Sequence, residues 1–149
     1  MSTFTNKQFF KMDKKDTLVF LNSLSKNTLM ETLEIKFTDL GDDYLTATMP
    51  VNAKVFQPMG ILHGGATVAL AESVGSSASH IFVDTEKYIV KGIEITANHL
   101  KSKSDGIITA TAKIIHKGRT THLWEIRVVD ENNKLISICK LTNIILEKN

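Results

Sequence analysis

The sequence predicts an α+β fold in which one curved antiparallel β-sheet wraps around a single long helix. One stretch, "LHGGATVALAESVGSSAS" (62–79), is too apolar for a helix that faces water on any side. The segments before and after it alternate apolar and polar residues with a period of two, as half-buried strands do. Because the links between these segments are short, the sheet is the only element available to bury the helix.

The N-terminal elements are predicted in the order helix, strand, strand and loop. Between 12 and 27, leucines three residues apart, an acidic first turn and a basic last turn indicate a short amphipathic helix. "LEIKF" (33–37) and "YLTATMPV" (44–51) alternate on either side of the turn signal "GDD". "NAKVFQPMGI" (52–61) contains proline and glycine and reads as a loop. The predicted apolar stripe of the helix consists of Leu18, Leu21 and Leu24, widened by Val19 and Phe20.

Further strands are predicted from residue 88 to the C-terminus. In the first, "YIVKGIEITANHLKS" (88–102), alternation places Ile93, Ile95, Ala97 and His99 on one face. Because a parallel crossover needs about a dozen residues or more, we expect consecutive strands to be antiparallel neighbours. The remaining strands are "GIITATAKIIH", "THLWEIRVVD" and "LISICKLTNIIL", which follow the turn signals "KSDG", "KGRT" and "ENNK".

Length and composition narrow the class of protein. The 149 residues fit one domain, 1–149, and the 42% apolar and 23% charged residues are those of an ordinary globular chain. A net charge of +2 with no basic run predicts neither a nucleic-acid partner nor a membrane partner. The N-terminus lacks the order of a signal peptide, and no apolar run approaches the roughly 20 residues that span a bilayer. We therefore expect a cytoplasmic protein.

Several chemistries are disfavoured by residue counts and spacing. Cys139 is the single cysteine, which excludes an internal disulfide, and its apolar surroundings predict a buried small hydrophobe. His63, Glu72, His80 and His99 match no usual spacing of metal ligands, so we expect no metal site and no cofactor. A serine hydrolase is disfavoured because the chain has no G-x-S-x-G motif.

Glu72 is the one carboxylate in the middle of the predicted long helix. A helical wheel places it beside Val68, Ser76 and Ser79, opposite Leu70 and Val74. It is either a charge exposed at an edge of the helix or a catalytic carboxylate whose partial burial increases its reactivity.

Gly64 and Gly65 open the helix, where the first N–H groups have no partner within the helix. They either form a tight turn or stabilise a carbonyl oxygen that becomes negative. Gly65 lies seven residues before Glu72, about 10 Å along the axis, too far for both to act on one acyl group. If both act, we expect a homodimer in which each site takes the donors from one chain and the carboxylate from the other.

The stretch "QPMGILHGGATVALAESVGSSAS", together with "GIEITANHLKS", resembles the hot-dog-fold acyl-CoA thioesterases. The similarity covers nearly the whole chain. Within this family, the sequence most resembles the branch that contains the Arthrobacter-type 4-hydroxybenzoyl-CoA thioesterase and the enteric thioesterases of menaquinone and enterobactin pathways. The resemblance implies a hot-dog fold, hydrolysis of an acyl-CoA thioester and a dimer of dimers.

The resemblance also implies roles for individual residues. Glu72 is the nucleophile or the general base, and an N–H of the glycine pair, in the first place the one directly after His63, polarises the thioester carbonyl. Gln57 and His63 orient the thioester or the water, and Ser76 assists from the side of the glutamate. His99 corresponds to a histidine associated with the substrate and the CoA arm.

Each of these residues also has a purely structural interpretation. Gln57 is then an ordinary loop residue, His63 a cap of local backbone, Ser76 a helix-packing residue and His99 a satisfied core histidine. The candidates for contacts with the CoA phosphates are Lys101, Lys103, Arg119 and Thr120, for which solvated surface is the alternative.

Two other functions are alternatives to hydrolysis. A hydratase of the same fold would need an Asp/His pair that "HGGATVALAES" does not supply, and a non-catalytic acyl-CoA-binding module would not need Glu72. The acyl group is harder to infer: the resemblance implies an aryl or hydroxyaryl acyl-CoA such as 1,4-dihydroxy-2-naphthoyl-CoA, with a medium-chain acyl-CoA as the alternative. Candidate residues for the acyl pocket are Phe56, Met59, Val68 and Ile81.

Overall fold

The computed structural model describes residues 12–149, which form a six-stranded antiparallel sheet, one long helix and shorter helical segments. The helices are α1 (Lys14–Ser23), α2 (Leu29–Thr32) and α3 (Gly64–Phe82), with a 3-10 turn at Ala53–Val55. The strands are β1 (Lys36–Leu40), β2 (Tyr44–Pro50), β3 (Tyr88–His99), β4 (Ile107–Lys117), β5 (Thr121–Val129) and β6 (Leu135–Glu147). The predicted α+β class is confirmed, whereas the signal-peptide argument concerns mainly residues 1–11, outside the described part.

The strand order is β1-β2-β4-β5-β6-β3, which corrects one prediction about neighbours. β4–β5 and β5–β6 are antiparallel neighbours as expected, but β3 pairs with β6 and not with β4. Three strand spacings of about 4.8 Å separate β3 from β4, and the seven residues between the strands, 100–106, span more than that when extended. A short link is therefore compatible with a crossing over the end of the sheet.

The first helix is shorter and less amphipathic than predicted. Asp13 caps α1, and its carboxylate accepts the N–H of Asp16 at 2.8 Å, but the last turn carries no basic residue. Leu21 is buried, whereas Val19 is 63% exposed and Leu24 is 57% exposed. The predicted apolar stripe thus contributes mainly Leu21 to the core.

α3 packs against strands β2 to β6 through small side chains. Leu70, Ala71 and Val74 are fully buried, and a Cβ on Gly75 would lie only 2.6 Å from Leu141 of β6. This glycine therefore allows the helix and the sheet to approach closely. The other side of α3, which includes Ser73, is half-exposed within one chain, so the sheet does not enclose the helix completely.

A β-bulge in β3 changes which residues face α3. The register between β3 and β6 shifts between Gly92 and Glu94, and Ile93 is left 59% exposed instead of sharing the inner face with Ile95 and Ala97. Gly92 consequently faces the helix: a Cβ at this position would lie 2.7 Å from Glu72 Oε1. The extra residue of the bulge shifts the two-residue alternation by one position.

Other sequence predictions on the core and the turns agree with the structure. Cys139 is buried at 1% exposure, and burial raises the pKa of its thiol. Asn133, in the predicted "ENNK" turn, has a φ of 60°, and the N–H of Asp130 donates to the Lys134 carbonyl across the turn. Within residues 12–149, none of the helices combines the length and apolarity that a membrane crossing requires.

Candidate active site

The start of α3 presents one unpaired backbone donor. His63 is the N-cap, and its Nδ1 accepts the Gly65 N–H at 2.8 Å, while its own N–H donates to the Val55 carbonyl at 2.8 Å. The Gly64 N–H has no acceptor among the residues that the structure describes. Of the two glycines, Gly64 is therefore the one whose N–H is available to a ligand. His63, with Nδ1 acting as acceptor, keeps its neutral-ring proton on Nε2.

His99 lies directly beside Gly64. A Cβ on Gly64 would be 2.7 Å from His99 Nε2, so only a glycine leaves the ring where it is. The ring is held by Ser137, whose Oγ is 3.0 Å from His99 Nδ1 and donates to the Asn98 carbonyl at 3.0 Å. Because the serine has one hydrogen and gives it to that carbonyl, the neutral ring carries its proton on Nδ1. The lone pair on Nε2 then faces the start of α3.

A cavity of about 210 Å³ opens at this end of the helix. Its wall combines apolar side chains with the unpaired Gly64 N–H and the His99 ring. The lining residues are Ile61, Leu62, Gly64, Thr67, His99, Leu100, Lys101, Ser102 and Ile136. Its size and lining suit a narrow ligand arm that enters beside the helix start.

Gln57 shapes the loop that precedes α3. Its Oε1 accepts the Met59 N–H at 2.5 Å, and its carbonyl accepts the Gly60 N–H at 2.9 Å. Gly60 has a φ of 75°, which favours glycine. The side-chain oxygen of Gln57 thus stabilises the turn, and its NH₂ group remains available to a ligand.

Glu72 lies eight residues after Gly64 and is half-buried beside Gly92 of the edge strand β3. Among the described residues, no hydrogen bond or ion pair engages its carboxylate, so it is not part of a structural salt bridge. Ser76 is one turn further along, and its hydroxyl makes no hydrogen bond to Glu72. The backbone carbonyl of Ser76 is 2.9 Å from His80 Nδ1.

The four candidates for CoA-phosphate contacts do not lie together in one chain. Lys103 Nζ is 2.7 Å from Glu131, whose pKa it lowers to about 2 with the help of the Ile107 N–H, and Lys101 Nζ is 3.8 Å from Asp130. Arg119 lines a second cavity of about 350 Å³ with Phe82, at the opposite end of α3, and Thr120 follows it in the β4–β5 turn. The 19 residues of α3 separate the two ends by about 28 Å.

Sequence reasoning missed two polar residues of β6 that lie close to these groups, Ser137 and Asn143. Both are fully buried. Each interrupts the apolar stretch "LISICKLTNIIL", and a polar residue inside such a strand is the signal that could have drawn attention to them. Residues 12–149 contain no cluster of three or more side chains that could hold a metal ion.

The fold and these groups define a class: a single antiparallel sheet against one helix whose N-terminus presents an unpaired amide and whose middle presents an unpaired carboxylate. The sequence pattern of the thioesterase superfamily matches residues 59–137, and the chain belongs to this superfamily. It is accordingly a thioester hydrolase, and the predicted hot-dog fold is confirmed.

Individual relatives agree with this assignment. The chain is 41% identical over 133 residues to the 1,4-dihydroxy-2-naphthoyl-CoA hydrolase of Escherichia coli, and the aligned region covers 89% of this chain and 97% of that protein. It is 41% identical over 130 residues to the proofreading thioesterase EntH of Cronobacter turicensis, covering 87% and 94%. A crystal structure of a mutant thioesterase from Pseudomonas aeruginosa superposes with a TM-score of 0.87 at 45% identity, covering 88% of this chain and 94% of that one.

Proposed function

We propose that this protein hydrolyses acyl-CoA thioesters to a free acid and CoA, at sites that two copies of the chain build together. The observation that carries the proposal is a pair of unengaged groups on α3, the Gly64 N–H and the Glu72 carboxylate. A thioester is an activated acyl group, so one donor for its oxygen and one carboxylate or carboxylate-bound water for its carbon suffice.

Two reaction routes to the free acid and CoA can use these groups. In the first, Glu72 takes a proton from water while the water oxygen bonds to the acyl carbon; the C–S bond breaks, and that proton passes to the CoA sulfur. In the second, a Glu72 oxygen bonds to the acyl carbon and CoA leaves as a thiolate, which takes a proton from solvent. Water then opens the resulting anhydride and restores the carboxylate. In both routes the Gly64 N–H donates to the carbonyl oxygen as it becomes negative.

Helix geometry supports a site shared between two chains. Gly64 and Glu72 are about 12 Å apart along α3, whereas a reacting carbonyl must lie roughly 3 Å from its donor. Glu72 lies over Gly92 of β3, whose outer edge has no strand partner among residues 12–149, and Ile93 beside it is exposed. A second chain that docks along this edge, in the isologous manner of a two-fold dimer, would bring the start of its own α3 toward Glu72.

The roles of the remaining candidates follow from this division. Gln57 and His63 act from the Gly64 side through the glutamine NH₂ and the histidine Nε2–H, while Ser76 acts from the Glu72 side. His99 contacts the CoA arm in the cavity beside Gly64. Arg119 and Thr120, at the far end of α3, meet the same CoA as Lys101 only if they come from another chain.

We propose an aryl or hydroxyaryl acyl-CoA as the substrate class and the cytoplasm as the location. The E. coli relative, named for 1,4-dihydroxy-2-naphthoyl-CoA, supports the acyl group. A panel of aryl, hydroxyaryl and medium-chain acyl-CoAs, assayed by release of free CoA, tests it: a preference for medium-chain substrates would contradict the aryl assignment.

The test of the mechanism is Glu72→Gln, which keeps the size of the side chain and removes its charge. We expect turnover to fall by orders of magnitude while the fold and CoA binding are retained. Unchanged turnover would remove Glu72 from the mechanism. A wild-type protein that binds acyl-CoA without releasing CoA would instead favour the non-catalytic binding module.

Mixing of two inactive variants tests whether the site is shared. A dimer of one Glu72→Ala chain and one His63→Ala chain contains one fully wild-type site of its two, so random re-pairing should restore about a quarter of wild-type turnover. Each variant re-paired with itself is the control, and Gln57→Ala replaces His63→Ala if the latter is unstable. Verified mixed dimers without recovered activity would contradict the two-chain site.

A further inference from the structure

Asn143 on β6 is a fully buried amide whose orientation is determined by its partners. Its Nδ2 donates to the Gly75 carbonyl at 3.2 Å and to Ser79 Oγ at 2.8 Å. A backbone carbonyl can only accept, so the nitrogen must point to the helix and Oδ1 away from it. No donor among residues 12–149 reaches Oδ1. A buried acceptor without a hydrogen bond reduces stability by about 1–3 kcal/mol, so we expect a donor to bind this oxygen.

Oδ1 and Glu72 face the same small recess. Gly92 is the register partner of Asn143 across the β3–β6 ladder, and as a glycine it presents only a hydrogen atom between the two side chains. The position of a Cβ on Gly92 lies 2.7 Å from Glu72 Oε1 and 3.6 Å from Asn143 Oδ1. Two acceptor oxygens thus converge on one point, and neither can donate to the other while Glu72 is ionised. A donor with two hydrogens satisfies both.

We propose that Asn143 is a positioning residue of the Glu72 half of the site, and that its Oδ1 and the Glu72 carboxylate together hold one water molecule above Gly92. The inference rests on the proposed function of Glu72. A water that donates one hydrogen to each oxygen turns its lone pairs away from both and toward the space in front of the carboxylate. In either route of hydrolysis a water must reach the acyl carbon beside Glu72, and this arrangement orients it in advance.

The buried groups behind Asn143 have a separate, structural role. Ser79 Oγ accepts from Asn143 Nδ2 and, at 2.8 Å, from Trp124 Nε1, which fills its two acceptor positions. Its own hydrogen goes to His122 Nδ1, 3.0 Å away. Burial, followed by the charges of Lys117 and His116, lowers the pKa of His122, so the ring is neutral and can accept. This network joins α3 to β5 and β6 without contacting Oδ1.

Asn143→Leu tests the inference, because it removes Oδ1, together with Nδ2, and keeps the number and branching of the heavy atoms. We expect kcat to fall roughly 10-fold to 100-fold and KM to change less than about threefold, since water orientation and not CoA binding is lost. The matched control is Trp124→Phe, which removes a donor of the same network and leaves Oδ1 in place. It should lower the melting temperature while retaining most of the wild-type kcat. If kcat of Asn143→Leu stays within threefold of wild type, or if both variants lose kcat in parallel, the role is structural and the inference is wrong.

A second measurement separates this inference from the proposed function. In a crystal structure of the wild-type protein at about 1.5 Å, we expect one water within about 3.2 Å of both Glu72 and Asn143 Oδ1. The site without this water, or a protein donor on Oδ1, would overturn the inference whatever the activity. If wild type hydrolyses thioesters and Glu72→Gln does not, but Asn143→Leu behaves as wild type, the inference fails alone. If wild type hydrolyses no thioester, the proposed function fails, and the inference that rests on it fails as well.

Discussion

Gly92→Ala is the substitution that probes the position of the Glu72 carboxylate most directly. The added Cβ would lie 2.7 Å from Glu72 Oε1, and ordinary contact begins at 3.4 Å, so the carboxylate must move by about 0.7 Å. The φ of Gly92 is not positive, so alanine can adopt the same backbone, and the contacted atom is the end of a flexible side chain. The fold should therefore tolerate the substitution.

The expected effect is on turnover. A misplacement near 1 Å can cost up to about 100-fold, so we expect kcat to fall roughly 10-fold to 100-fold, equivalent to about 1.4–2.8 kcal/mol of transition-state free energy. Stability should change little, because alanine loses less backbone entropy than glycine on folding, by about 0.4–1 kcal/mol, and this offsets the crowding.

The assay is release of free CoA, with kcat and KM measured separately and the melting temperature recorded. Gly41→Ala is the matched control: its Cβ also crowds a side chain, the half-buried ring of Tyr44, in the β1–β2 turn away from Glu72. We expect the control to keep its kcat. A folded Gly92→Ala protein with wild-type kcat would refute the claim that the working carboxylate lies over Gly92.

Two further predictions concern buried polar groups. Ser137→Ala removes the partner of His99 Nδ1 and should lower kcat/KM by up to about tenfold, with a modest loss of stability. In this variant, NMR of the His99 ring nitrogens should detect both tautomers. A single unchanged tautomer would contradict the role of Ser137. The folded-state pKa of His122 lies below its unfolded value of 6.5, so protonation favours unfolding, and stability is complete above about pH 6.5 and falls as the pH drops below it. His122→Gln should reduce the decrease in melting temperature between pH 7 and pH 5, and an identical decrease in wild type and variant would count against this source of acid sensitivity.

Local patterns were enough to predict most elements of the fold and the groups on the helix. The apolar run of 62–79 became α3, the two-residue alternation became β2 to β6, and the turn at "ENNK" formed where expected. The strand predicted at 33–37 was misplaced: β1 begins at Lys36, because Glu34 lies in a turn with a φ of 57°. These features depend on residues that are close together in the chain, so local sequence patterns predict them. Neither the pairing of β3 with β6 nor the bulge at Gly92 has such a local signal, because both depend on how distant strands match their registers.

The order of residues is enough to place a carboxylate on a helix of small residues and to place glycines at the start of this helix. The groups that surround them are known only from the folded chain. His63 engages the Gly65 N–H and leaves the Gly64 N–H available. His99 of β3 lies beside Gly64, and its ring is held by Ser137 of β6, 38 residues further along the chain. The physical reason is that a hydrogen bond needs about 3 Å and a direction, and residues far apart in the chain meet these conditions only once the sheet closes on the helix.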